Sequence, residues 1–217
     1  MHNTIIFDLD GTLLDTLDDL TTAVNYALRK HYLPKRSKDE VRQFLGNGME
    51  RLIELSVPKG KKTKNFKTIL QDFKAYYLVN AITKTAPYPG IMDMLNTLKQ
   101  KGFKLAIVSN KGYQAVSFLR EYFFNETIDV AIGEKEGIRK KPFPDTVYEA
   151  LSVLNEEKQN AYYVGDSEVD ILTAKNAGMQ CLSVSWGFRT KEELQFYDSD
   201  LIFDNPSDIL NYIVDNN

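Results

Sequence analysis

The chain has 217 residues, 43% of them apolar and 26% charged, a globular balance that excludes a disordered or fibrous chain. A formal charge of −3 gives no electrostatic ground for nucleic acid or an anionic membrane as main partner, and the single cysteine, Cys181, excludes an internal disulfide framework. No apolar run has the length of a membrane span, and Asn3, Asp8 and Asp10 interrupt the first ten residues too often for a signal peptide, so a soluble cytoplasmic protein is expected.

The first predicted element is the strand TIIF, immediately before Asp8. From Asp15 to about Thr85 no strand pattern follows. Leu17, Leu20, Val24, Ala27 and Leu28 keep helical spacing, as do Phe66, Ile69, Leu70, Phe73 and Tyr77, with breaks near Pro34, at Gly46–Gly48 and around Pro58–Gly60. APYPG, Ala86 to Gly90, reads as the return to the sheet. Ile91, Met94, Leu95 and Leu98 then share a helix face, FKLAIVS is a strand ending at Ser109, and DVAIG is a weaker strand ending at Gly133. Val147, Ala150, Leu151 and Leu154 share the next helix face. AYYVG, ending at Gly165, and CLSVSW, ending at Trp186, complete the strands. Near-continuous apolar strands alternating with helices predict a doubly wound, Rossmann-like parallel α/β sheet. The expected organisation is a core of residues 1–14 plus 86–217, interrupted by an all-helical insert of residues 15–85.

The strand ends carry the chemistry. In an extended strand, residues two apart face one side, so Asp8 and Asp10 would present two carboxylates at the carboxyl edge of the sheet, where open α/β sheets bind ligands. Two like charges about 4 Å apart repel by roughly 4 kcal/mol at an effective dielectric near 20, and a hard cation such as Mg²⁺ removes that cost. An incidental Asp-Gly turn would read the same in isolation. AYYVG leads into GDSEVD, placing Asp166 at a strand end and Asp170 one helical turn on, where a helix N-cap at Asp166 or Ser167 is the plain alternative. FKLAIVS runs into SNKG, putting Ser109 and Asn110 at its end with a hydroxyl, an amide and backbone N–H groups suited to an anion, and Lys141 precedes a Pro-x-Pro loop. Each signal is weak alone. At four ends of one sheet they supply the nucleophile, metal site, anion cradle, fixed cation and proton donor of phosphoryl transfer to a carboxylate.

In this order, DLDGT, SN, KP and GDSEVD resemble the four motifs of the haloacid dehalogenase superfamily, and core plus insert spans essentially the whole chain. The insert resembles the C1 cap of the branch that includes phosphoglycolate phosphatase, and LGNGMERL (Leu45–Leu52) and SNK (Ser109–Lys111) are similar to that group. The resemblance implies that Asp8 attacks phosphorus and that Asp10 protonates the leaving alkoxide and then activates water. It implies Mg²⁺ on Asp8, the backbone carbonyl of Asp10 and Asp166, with Asp170 acting from behind them on water or Lys141. Ser109 and Lys141 would hold the phosphoryl oxygens, assisted by Gly11, Thr12 and Asn110. Asn47, Gly48, Arg51 and Lys111 are the candidate contacts to the rest of the substrate. A cap closing over the core implies a small phosphorylated metabolite rather than a phosphoprotein, and both a monomer and a homodimer fit.

Departures from nearby patterns narrow the reading. A second acid at position 10 suits phosphate esters rather than halide displacement. The Lys-Gly-x-Ser-Arg pattern of β-phosphoglucomutase-like enzymes is replaced by Leu45-Gly46-Asn47-Gly48-Met49, without either cation, although Arg51 is near. The leading reading is phosphoglycolate phosphatase-like, and a pyrophosphatase, a nucleotidase or a sugar phosphatase fits the motifs almost as well. A receiver-type phospho-aspartate switch fits poorly, because its acceptor belongs on a middle strand where this chain has Ser109. Lys59, Lys61, Lys62, Lys64 and Lys67 read as a solvated basic face, and His2 and His31 lie outside the motifs; Trp186 and Phe188 follow a strand end and could wall the substrate pocket, with local packing the better reading.

Overall fold

The computed structural model describes residues 2–216. In chain order the elements are β1 (Thr4–Phe7), β2 (Leu14–Asp15), α1 (Leu17–Lys30), α2 (Lys38–Phe44), α3 (Met49–Ser56), α4 (Phe66–Asn80), β3 (Ala86–Pro87) and α5 (Ile91–Gln100). There follow β4 (Lys104–Gly112), α6 (Tyr113–Phe124), β5 (Val130–Glu134), α7 (Asp145–Leu154), β6 (Ala161–Gly165), α8 (Glu168–Ala177), β7 (Gln180–Val184), α9 (Lys191–Phe196), β8 (Ile202–Phe203) and α10 (Pro206–Asp215). The chain forms two compact units, one of residues 1–14 and 87–217 and one of residues 15–86.

The first unit holds a six-stranded sheet in the order β5-β4-β1-β6-β7-β8, with every pairing parallel. Parallel strands need crossovers, and α6, α7 and α8 supply them. The central strands β1 and β6 are buried on both faces, which is why their sequences lack alternation. On one face Ile6, Ala106, Val108, Ile132 and Tyr163 form a core with Val147, Ala150 and Leu151 of α7 and Ala174 and Ala177 of α8. On the other, Tyr162 meets the Tyr212 ring of α10 edge-on. The doubly wound parallel α/β fold read from the sequence is the fold observed.

The second unit contains α1 to α4. α1 and α4 pack along each other, with Tyr26 and Tyr76 stacked at 4.0 Å. Asp19 is buried because it accepts hydrogen bonds from the backbone N–H groups of Lys84 and Thr85 and from the Thr85 hydroxyl. His31 bonds Asp72 at 2.8 Å.

Three local expectations are corrected. Ala86–Pro87 does not join the main sheet but pairs with β2 in a separate two-stranded sheet. β4 continues past Ser109 to Gly112, with a register shift between Val108 and Gly112 that lets polar residues extend the strand beside β5. β7 ends at Val184, two residues before Trp186.

Candidate active site

β1 stops at Phe7, so Asp8 and Asp10 are not alternate residues of a strand, as their spacing predicts. Asp8 continues the strand path through its N–H, which donates to the Val164 carbonyl. Residues 9–14 then turn back on themselves: the N–H groups of Leu13 and Leu14 donate to the Leu9 carbonyl, and the Gly11 N–H donates to Leu14. Gly11 has φ +90°, and a Cβ there would lie 2.4 Å from an Asp166 oxygen, so both conformation and space require glycine.

Four strand ends deliver the remaining groups. Lys141 is almost fully buried, and its Nζ donates to Asp8 Oδ1 at 2.7 Å, to Asp170 Oδ1 at 2.7 Å and to the Tyr163 hydroxyl at 3.1 Å. Asp170, on the first turn of α8, has both oxygens engaged. Oδ1 accepts from Lys141 and Tyr163, and Oδ2 accepts from the N–H and hydroxyl of Ser167. The reach back to the Ser167 N–H fixes the start of α8. Asp166 Oδ1 accepts from the Thr12 hydroxyl at 3.1 Å, and Oδ2 from the Phe188 N–H at 2.7 Å.

Carboxylate oxygens of Asp8, Asp166 and Asp170 lie within 4.8 Å of one another, all buried. Burial pushes the Asp8 carboxyl up to about 7, Lys141 opposing the rise and Asp170 and Asp10 adding to it. Asp166 is raised well above the carboxylate range, first by burial and then by Asp170 and Asp8. Burial works against the Lys141 charge, but Asp170 and Asp8 outweigh it and hold the ammonium well above the ordinary lysine range. Three acid groups thus face one ammonium. Hard oxygen donors with a deficit of positive charge fit a divalent cation such as Mg²⁺. Because Asp170 is saturated by four hydrogen bonds, Asp8 and Asp166 are the carboxylates best disposed to bind it.

Asp10 lies outside this cluster, its Oδ1 2.8 Å from the buried ammonium of Lys111. Ser109 and Asn110 are also buried. The Ser109 hydroxyl accepts from the Lys111 N–H, and the Asn110 amide donates to the Lys141 carbonyl, tying β4 to the Lys141 loop. Of the residues expected to touch substrate, the Thr12 hydroxyl donates to Asp166 and the Lys111 ammonium pairs with Asp10. Asn47 and Arg51 belong to the helical unit, where Arg51 on α3 is exposed and donates to Glu54 at 2.9 Å.

Several site residues escaped the sequence reading. Tyr163 looked like core filler in AYYVG. The loop after β7 is part of the site: Trp186 donates to the Thr12 carbonyl at 3.0 Å, and Gly187 approaches so closely that a Cβ would meet the Gly11 oxygen at 2.4 Å. Arg189 locks this loop to α8 through two bonds to Glu168, at 2.7 and 3.0 Å. Among the described residues, no helix is long and apolar enough to cross a membrane.

The model of a family described as haloacid dehalogenase-like hydrolase matches residues 5–184. A phosphoglycolate phosphatase of Aquifex aeolicus is 34% identical over 216 residues, covering 97% of this chain and 98% of its own. Its counterpart in Psychrobacter arcticus is 32% identical, covering 97% and 95%. The crystal structure of a predicted phosphoglycolate phosphatase from Haemophilus somnus superposes with a TM-score of 0.90 at 30% identity, covering 98% of both chains. A protein from Lactobacillus delbrueckii, provisionally assigned the same activity, gives 0.93 at 36% identity, again covering 98% of both chains.

Proposed function

From the premise that this chain belongs to the haloacid dehalogenase-like hydrolases, we propose that it is a Mg²⁺-dependent phosphatase that hydrolyses a small phosphomonoester through an aspartyl-phosphate on Asp8. The observation that carries the reading is the Lys141 ammonium, 2.7 Å from both Asp8 and Asp170 inside a buried group of three acids. No fold requirement explains so costly a cluster.

Asp8 and Asp166, with the Asp10 carbonyl, would hold Mg²⁺, which supplies positive charge against the phosphoryl oxygens and the acid cluster. An Asp8 oxygen attacks phosphorus as the ester P–O bond breaks, and the Asp10 carboxyl gives its proton to the departing alkoxide. Asp10, now ionised, takes a proton from water, whose oxygen attacks phosphorus and releases inorganic phosphate and the Asp8 carboxylate. Lys111 fixes where Asp10 sits during both transfers. Lys141 and the Ser109 hydroxyl hold the equatorial oxygens, where charge accumulates in the transition state.

The similarity to phosphoglycolate phosphatases makes 2-phosphoglycolate the first substrate, with Arg51 and Asn47 as candidate partners for the part beyond the phosphoryl group. The test is phosphate release from 2-phosphoglycolate, pyrophosphate, a nucleoside monophosphate and a glucose phosphate, with Mg²⁺ or with chelator. Release should be fastest from 2-phosphoglycolate, need Mg²⁺ and vanish in Asp8→Asn. Release that survives chelator or the Asn variant would refute the mechanism. Faster phosphoryl migration on the sugar than release would make the protein a mutase.

A further inference from the structure

One buried polar group at the site has no part in the proposed reaction. Tyr163 is fully buried, and its ring packs in the core that α7 and α8 form on the sheet. A phenylalanine would fill that space, so packing does not account for the hydroxyl. Removing a hydroxyl from water is costly unless it is hydrogen-bonded. This one accepts from Lys141 at 3.1 Å and donates to Asp170 Oδ1 at 3.0 Å. Lys141 also donates to the same Asp170 oxygen, so the three groups close a ring of hydrogen bonds. Burial, reinforced by Asp170 and Asp8 against the pull of Lys141, holds the phenol well above its ordinary range and therefore protonated as a donor.

A lysine ammonium sits on a flexible four-carbon stem and takes its position from its partners. Lys141 has three donors and three partners. To reach a phosphoryl oxygen it must redirect the donor now on Asp8, which leaves Asp170 and Tyr163 to define where it stays. Asp170 is anchored on its far side by Ser167. Tyr163 is carried by a central strand. Resting on the phosphatase reading above, we infer that Tyr163 is a positioning residue whose hydroxyl holds Lys141 in the geometry for phosphoryl transfer.

The test is Tyr163→Phe against the wild type, with Tyr162→Phe as control. Tyr162 is equally buried on the same strand but faces the other side of the sheet, stacked on His2 at 4.0 Å. At saturating Mg²⁺ the Tyr163 variant should lose about tenfold in kcat with KM within about twofold, the loss expected for one buried hydrogen bond to a charged group. The inhibition constant of vanadate, which mimics the five-coordinate transition state, should rise about tenfold, and that of phosphate should move less than about twofold. Tyr162→Phe should leave all of these unchanged. Wild-type values in Tyr163→Phe, with or without a lower Tm, would make the hydroxyl structural and overturn the inference. Equal weakening of vanadate and phosphate, or failure of Tyr163→Phe alone to fold, would overturn it too. A wild type that hydrolyses no phosphoester would remove the phosphatase reading and this inference with it, whereas an active wild type with an unaffected variant removes the inference alone.

Discussion

Replacing Asp8 with asparagine should abolish activity and make the metal-free protein more stable. The Asp8 carboxyl ionises near 3.8 in an unfolded chain and is pushed up to about 7 in the fold, chiefly by burial. Between those values the native state keeps a proton that the unfolded state has lost, so stability falls as pH rises from about 4 to about 7 and levels off above. At about 1.4 kcal/mol per pH unit, the full cost of ionising Asp8 in the fold is about 4 kcal/mol above pH 7 and about 2 kcal/mol at pH 5. The help of Lys141 is already contained in that value, and an asparagine amide oxygen still accepts from its ammonium. Asp8→Asn should therefore gain about 2 kcal/mol at pH 5 and up to about 4 kcal/mol at pH 8. Urea unfolding in EDTA, followed by the single tryptophan, Trp186, reads the unit that contains the site. Adding Mg²⁺ at pH 8 should stabilise the wild type much more than the variant. A variant less stable than wild type at pH 8, or a difference that does not grow with pH, would refute the charge-deficit account of the cluster.

Two further substitutions test the scaffold around Asp166. Gly11→Ala imposes a side chain at φ +90° against an Asp166 oxygen, and should cost about 1–3 kcal/mol and raise the Mg²⁺ concentration for half-maximal activity at least about tenfold. Urea titration and a Mg²⁺ activation curve measure the two effects, and an unchanged curve would contradict the role given to Asp166. Arg189→Ala releases the loop whose Phe188 N–H holds Asp166 and leaves Glu168 without its partner, which should cost about 1–3 kcal/mol and lower activity several-fold at limiting Mg²⁺. Activity should recover at high Mg²⁺. A loss that high Mg²⁺ does not reverse would place Arg189 on the substrate.

The fold was legible where burial writes itself into apolar runs. TIIF, KLAIVS and AYYVG are strands because parallel strands are covered on both faces, and the helices of the insert keep a 3.6-residue period. The carboxyl end of β4 was not legible, since Ser109, Asn110 and Lys111 look like loop residues although all three are buried. Their burial depends on partners over thirty residues away, Lys141 for Asn110, or a hundred away, Asp10 for Lys111. Short β8, paired with β7 and with Phe203 against Tyr212 of α10, gave no pattern of its own. Asp8, Asp166, Asp170 and Lys141, singled out near strand ends, are brought together by the fold, but local spacing misjudged how Asp10 is presented. Tyr163, Arg189 and the Phe188 N–H were hidden because a tyrosine in an apolar run looks like packing and a backbone donor has no sequence signature.

The position of β1 sets a condition on how the protein is made. TIIF is synthesised well before its neighbours in the sheet, which begin at Lys104 and Ala161. At translation rates of about 5–20 residues per second, about 5–20 seconds pass before the first of them exists. Meanwhile residues 15–86 emerge complete and carry their own helical core. An apolar strand destined for the middle of the sheet thus waits, unpaired on both edges. Premature pairing of that strand with another chain is the hazard this topology creates, and Asp8, one residue beyond it, acquires its surroundings only after Lys141, Val164 and Asp170 have been synthesised.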